Sequence, residues 1–208
     1  RTHKLFEPTG NLAQLNNQPI HRQFGGFHLL NHRQRKQTYF TPHIWRTKLT
    51  AAKSLTPEEI QQMLNYIAAQ PNAARNRALF VTSVMAGMRV SELAGLTIAD
   101  VLNADGTVKR EIYLAAHRVK HGHARTVFVS TRLQQELKDY IDGRKWYTQD
   151  QPLFSVHHSP RKPFSANTLA QHFFWLYKRA GVRASSHSGR KTFITSLASQ
   201  GVSVFVLS

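Results

Sequence analysis

The sequence contains no cysteine, so a disulfide framework, a thiolate zinc site and a cysteine nucleophile are all excluded. The absence fits a reducing cytoplasm. No apolar run approaches the roughly 20 residues that a membrane-spanning helix needs. Acidic residues are scarce, with 11 Asp and Glu against 28 Lys and Arg in 208 residues. Two stretches are almost without them: residues 1–50 hold only Glu7, and residues 151–208 hold none. What remains is 41% hydrophobic, enough to bury a core, which argues against wholesale disorder. The length allows one domain of ordinary size and a short extra segment.

The formal charge of +17 attracts polyanions. Nucleic acid is the commonest of these, although an anionic membrane surface or an acidic protein satisfies the same arithmetic. Composition shifts near residue 50. The first 50 residues carry eight Lys or Arg and five His, are rich in Gln and Asn, and keep no apolar period beyond one turn. They have neither the apolar core of a signal peptide nor the serines of a transit peptide. They read as a basic, disordered extension, or as an arm lying along DNA phosphates.

From residue 54 the local signals agree. Thr56 caps a helix, Pro57 takes its first position and Glu59 completes a capping box. Ile60, Met63, Leu64 and Ile67 follow at helical spacing to an end near Gln70. A second helix runs from about Asn72 to a stop at Gly87. Asp105-Gly106 predicts a turn into a strand over Val108–Leu114, with a basic turn at 120–124 and a return strand over Thr126–Ser130. Further helices are predicted over Thr131–Asp142, Thr168–Ala180 and Ser188–Gln200, the last two closed by Gly181 and Gly201. The fold class is mainly α with a small antiparallel β-sheet, over a domain spanning 51–208. All ten acids of that domain precede residue 151, and the 58 residues after it carry seven Lys or Arg. Positive charge of one sign suits a face turned toward phosphates.

Three local features carry candidate chemistry. In Ala86-Gly87-Met88-Arg89-Val90-Ser91-Glu92-Leu93, a glycine stops one helix and Arg89 opens the next. Backbone N–H groups at a helix start beside a guanidinium make a phosphate site, and a surface Arg89–Glu92 pair explains the residues equally well. Lys120, followed by His121, His123 and Arg125, stands at a hairpin tip, where a lysine reaches a groove or is simply a solvated basic loop. In Ser186-His187-Ser188-Gly189-Arg190-Lys191, His187 and Arg190 are three apart and project to one side of a helix head. They pair a tunable donor with a fixed guanidinium fork; a capping Ser with solvated neighbours is the plainer explanation.

Taken in order, Arg89, hairpin Lys120 and His187-x-x-Arg190 are far more specific than any one alone. With Gly87 to Leu93, Lys120 five residues before Arg125, and the Leu197–Gly201 helix end, the sequence resembles the tyrosine recombinases of the phage-integrase type from about Leu55 onward. The resemblance implies a tyrosine recombinase catalytic domain that breaks and rejoins double-stranded DNA through a 3′-phosphotyrosine, without metal, nucleotide or other cofactor. Arg89 and Arg190 are then expected to clamp the non-bridging oxygens, Lys120 to protonate the departing 5′-oxygen, and His187 to assist proton transfer or hydrogen-bond the phosphate. Other recombinase subunits are expected partners on the DNA and a membrane is not. The expected setting is the cytoplasm, at the nucleoid in a bacterium, and the expected context DNA integration or a mobile element.

The sequence departs from the family pattern in two ways. The family's nucleophilic tyrosine follows His-x-x-Arg, whereas Tyr39, Tyr66, Tyr113, Tyr140, Tyr147 and Tyr177 all precede His187. Tyr66, Tyr140 and Tyr177 fit helical core or boundary positions. The expectation is a catalytic domain that is C-terminally incomplete, with apolar surface exposed at Phe193, Ile194, Leu197 and Val204. The N-terminal helical domain of larger members is also missing from residues 1–50. A non-catalytic DNA-binding remnant and a decayed gene fragment are the alternatives.

Overall fold

A computed structural model describes residues 52–118, 122–156 and 159–201. The expectations for residues 1–50, for Lys120 and for Val204 lie outside the described residues. The fold is mostly helical with one two-stranded antiparallel sheet. None of the described helices is long and apolar enough to cross a membrane.

Helix α1 (Pro57–Ala68) starts as its sequence predicts: the Thr56 hydroxyl accepts from the Glu59 N–H, the Glu59 carboxylate accepts from the Thr56 N–H, and Pro57 is first. It buries Met63 and Ile67. Helix α2 (Ala73–Met85) is the central helix of the described residues. Residues Ala78 to Ser83 are all buried, because α1, α5 and α7 pack on different sides of it. Short helices α3 (Val90–Ala94) and α4 (Ile98–Val101) follow. Strands β1 (Glu111–Leu114) and β2 (Arg125–Phe128) pair in the register Ile112↔Val127 and Leu114↔Arg125. Their alternation turns Ile112, Leu114 and Val127 inward and leaves Tyr113 and Phe128 exposed. Helices α5 (Thr131–Asp142), α6 (Ala166–Arg179) and α7 (Ser188–Ser199) complete the fold. Leu133, Leu137 and Ile141 of α5 recur every fourth residue and are fully buried. Phe173 and Tyr177 of α6 meet Phe80 of α2 in an aromatic cluster, with ring centroids 6.1–6.2 Å apart for Tyr177 and each partner.

The sheet is shorter than predicted. Val108 pairs with Leu102 in an isolated bridge and the Lys109 N–H donates to the Val101 carbonyl, so this stretch bonds to the end of α4 before β1 begins. Helix α4 and a 3₁₀ turn at Ala116–Arg118 were not anticipated. The first has the signature it needed, Thr97 with Asp100 three residues on, which forms a capping box.

Helix α7 is fastened at both its start and its middle. The Thr192 hydroxyl donates to the Ser188 carbonyl and accepts from the Leu55 N–H, both at 2.8 Å, and the hydroxyls of Ser54 and Thr195 are 2.8 Å apart. Its first turn lies directly on α2. A Cβ at Gly189 would stand 1.9 Å from the Ser83 Oγ, so only glycine permits this approach.

Candidate functional site

The site is built where α2 ends. Gly87 has φ of +57°, and a Cβ there would lie 2.2 Å from the Phe193 ring. Glycine therefore serves two purposes: it turns the chain from α2 into α3 and lets α7 lie against the turn. Arg89, at the head of α3, and Arg190, in the first turn of α7, are 101 positions apart in sequence. They meet across this turn, where the Arg190 guanidinium donates to the Gly87 carbonyl at 2.5 Å.

Glu92 organises the cations. Its side chain has 0% exposure. One oxygen accepts from the Arg89 guanidinium at 3.0 Å and the other from the Arg89 N–H at 2.7 Å. Arg125, the first residue of β2, reaches the same carboxylate through Nε at 3.2 Å and a terminal nitrogen at 2.6 Å. Burial works against the ionised form of Glu92, but the bonds from Arg125 and Arg89 outweigh it and hold the carboxyl below the usual carboxylate range. Burial also lowers the pKa of Arg190, reinforced by the positive charges of Arg89 and Arg125 and opposed by Glu92. Two guanidiniums thus bond one carboxylate and the third lies within reach of its charge, leaving a net positive cluster. Arg89 and Arg190 each spend one of their five side-chain N–H donors in these contacts.

The Arg89–Glu92 pairing expected on the surface is present but buried, so it is part of the cluster and not an alternative to it. The Arg89 N–H, read from sequence as an open donor for phosphate, is already taken by Glu92; the guanidiniums carry that capacity. His187 is the N-cap of α7, exposed, and its ring makes no hydrogen bond among the described residues. The capping at this helix head belongs to Ser185 and Ser188: the Ser185 N–H donates to the Ser188 hydroxyl and the Ser188 N–H to the Ser185 carbonyl. Lys120 lies outside the described residues, but both flanks of its loop are anchored. Arg118 donates to both Asp100 oxygens at 2.8 Å, and Arg125 holds Glu92. Glu92 and Arg125 are the members that the sequence reading did not assign to the site. The i, i+3 spacing of Arg89 and Glu92 was the available signal; the contact from Arg125, 33 positions away, had none.

Beside Arg125 and Arg190 lies an open groove of about 840 Å³ with Val127, Phe193, Ile194 and Leu197 in its wall. The last three are part-exposed, as expected of them. No tyrosine among the described residues lines it. Tyr177 is buried, the Tyr140 hydroxyl donates to the Leu153 carbonyl, and Tyr66 and Tyr147 pack on the core. Among the described residues, no group of three or more His, Asp or Glu could hold a metal ion.

The chain matches the phage integrase family over residues 53–208. It is 27% identical over 160 residues to the tyrosine recombinase XerA of Pyrococcus furiosus, an alignment covering 76% of this chain and 52% of that protein. Tyrosine recombinase XerC of Pelobacter propionicus is 35% identical over 80 residues, 38% of this chain and 24% of that protein. The crystal structure of XerA recombinase superimposes with a TM-score of 0.58 at 26% identity, covering 74% of this chain and 54% of that one. The Tn1549 transposon integrase in complex with a circular intermediate DNA gives 0.57 at 21% identity, covering 75% and 56%, a likeness of fold. The chain spans about half the length of the XerA relatives it matches. With the family pattern extending over most of its length, the chain belongs to the phage integrase family.

Proposed function

We propose that residues 51–208 are the catalytic domain of a site-specific DNA recombinase, and that Arg89 and Arg190 clamp the phosphodiester to be broken. The observation that carries this reading is the convergence of the two guanidiniums at the Gly87 turn, with donors to spare and Glu92 buried behind them. Charge accumulating on the non-bridging oxygens at five-coordinate phosphorus is offset by donors already in place, which need no reorganisation. A tyrosine oxygen bonds to phosphorus, the bond from phosphorus to the 5′-oxygen breaks, and Lys120 supplies the proton that the departing oxygen takes up. His187, exposed at the head of α7, assists proton transfer or hydrogen-bonds the phosphate. The bond energy stays in the phosphotyrosine, so a 5′-hydroxyl of another strand reverses the attack and rejoins the DNA.

The nucleophile is a tyrosine other than the six in this sequence. It is carried on a segment that covers Phe193, Ile194 and Leu197, either farther along the native chain or on another recombinase subunit. The solved relatives support the DNA assignment: XerH is bound to its difH substrate and the Tn1549 integrase to DNA. The residues at hand need no cofactor for this chemistry, and the domain works wherever the DNA lies, the nucleoid of a bacterium included. A second reading, DNA binding without cleavage, needs only the positive charge: residues 151–208 carry seven Lys or Arg and no acid.

Fluorescence anisotropy with duplex DNA tests the binding. Affinity is expected to fall about 10³-fold or more between 50 and 200 mM salt, the range for proteins with six or more phosphate contacts. A flat salt response overturns the reading. A covalent protein–DNA complex is expected when a tyrosine-bearing segment or subunit is supplied, and Arg190→Ala is expected to slow its formation about 100- to 1000-fold. Tight binding with no covalent complex under any such supply selects the second reading.

A further inference from the structure

The far end of α2, some 20 Å along the helix from Arg89 at 1.5 Å per residue, gathers a second set of cations around a cavity of about 380 Å³. Arg75 stands in the first turn of α2. Its guanidinium donates to the Ser155 carbonyl at 3.0 Å and, through two nitrogens, to the Asn76 side-chain oxygen at 3.0 and 3.3 Å. Arg144, just past α5, donates to the carbonyls of Pro152 and Leu153 and to the Gln151 side chain at 3.2–3.3 Å. Every one of these acceptors is neutral. Among the described residues each guanidinium keeps two of its five N–H donors, and the exposed Lys145 ammonium beside them makes no hydrogen bond. All three cations line the cavity together with Tyr140 and Trp146, and no carboxylate among the described residues lines it or pairs with them.

This is an unusual way to hold positive charge. Burial lowers the pKa of Arg75, which means that its charged form is partly stripped of water, and the carbonyls around it orient the group without neutralising it. An anion entering the cavity gains both charges and the open N–H donors. The lining also holds an indole: Trp146 is 57% exposed and the Arg161 guanidinium lies 5.7 Å from its ring centroid. A cavity of this size accommodates a small ligand with an aromatic ring.

We propose that this cavity binds a nucleotide, its phosphate held by Arg75, Arg144 and Lys145 and its base against Trp146. The site is separate from the Arg89–Arg190 cluster and does not depend on the function assigned there. The phosphate can belong to a free nucleotide or to a nucleic-acid strand.

Isothermal titration of the full chain with adenosine 5′-monophosphate provides the test. One site is expected, with inorganic phosphate and adenosine each several-fold weaker than the nucleotide. Lys145→Glu is expected to weaken binding about tenfold or more. That residue is exposed and makes no bond, so the variant keeps its fold. Arg144→Gln should weaken binding similarly, and Arg89→Ala should leave it unchanged. Competition by a short DNA strand that is lost in Lys145→Glu identifies nucleic acid as the source of the phosphate; without competition the free nucleotide is the ligand. Binding lost in Arg89→Ala and kept in Lys145→Glu overturns the proposal, placing the anion in the other cluster. Absence of binding at millimolar nucleotide also overturns it, as does inorganic phosphate binding as tightly as the nucleotide.

Discussion

The two ends of α2 both present arginines, but the protein holds them by opposite means. At the Gly87 end, Arg89 and Arg125 share a fully buried carboxylate, and Arg190 is directed by the backbone carbonyl of the turn. At the Asn72 end, Arg75 and Arg144 are directed by neutral oxygens alone. A carboxylate fixes position strongly but cancels charge, so a site that must stay cationic with one needs more guanidiniums than carboxylates. Carbonyls fix position more weakly and leave the whole charge for a ligand. The comparison separates the two tasks of a cationic site, placing the charge and keeping it available.

The sharpest way to break the comparison is to remove one charged group at each end. Glu92→Gln leaves guanidiniums in a desolvated place without their counter-charge and is expected to cost about 3–5 kcal/mol of stability. Arg75→Met removes a cation whose partners are neutral, and should cost only about 1–3 kcal/mol through the unpaired acceptors it leaves. Urea unfolding of both variants decides it; equal losses would mean that Glu92 is a bystander.

Acid separates the ends next. The His172 ring lies 3.0 Å from the Asn76 side-chain oxygen that also accepts from Arg75, so its Nε2 carries the proton and donates. Burial, with the charges of Arg75 and Arg179, pushes its pKa down to about 4 from 6.5. The unfolded chain takes up this proton near pH 6.5 and the folded one does not until about 4. The stability it contributes is therefore complete above 6.5 and drains away as pH falls through that window. The lowered carboxyl of Glu92 runs later: its contribution is kept until pH reaches the usual carboxylate range and is lost as pH falls from there. Acid weakening is expected to begin at the Asn72 end. His172→Gln should flatten the stability profile between pH 6.5 and 4 by up to about one proton, roughly 1.4 kcal/mol per pH unit. An unchanged slope in that variant would refute the assignment.

The smallest effect belongs to a pair in water. Arg77 of α2 bonds Glu136 of α5 at 2.5 and 2.7 Å, but its side chain is 44% exposed. Arg77→Ala should change stability by less than about 1 kcal/mol. A loss near that of Glu92→Gln would show that burial is not what distinguishes the two carboxylates.

The parts of the fold that could be read in advance are those with local causes. Helix α5 begins and ends where its leucine and isoleucine spacing places it, and α1 starts at the capping box that Thr56 and Glu59 announce. Gly87, Gly181 and Gly201 all adopt the left-handed backbone expected of helix-ending glycines. Strand β1 was set three residues early because the pull of α4 on Val108 and Lys109 is a tertiary effect with no trace in an alternating pattern. The sequence offers Arg89, Lys120, His187 and Arg190 as an ordered candidate set, of which the described fold brings Arg89 and Arg190 to one turn; the organisation around Glu92 was not legible. A glutamate three residues after an arginine reads the same on a solvated helix as in a core, and only the assembled fold brings Arg125 to it. The cations at the far end of α2 come from two separate segments and carry no motif at all.

The bonds from Ser54 and Leu55 to Thr195 and Thr192 have a mechanical consequence. They join the chain just before α1 to the middle of α7, two turns or less from Arg190. A load applied to the polypeptide upstream of Ser54 is delivered to α7 before it is borne by α1. Gly189 rests on Ser83 with no room for a side chain between them, so the same helix is held at a second place. Residues 54 and 55 thus cross-link the start of α1 to the helix that carries the Arg190 guanidinium.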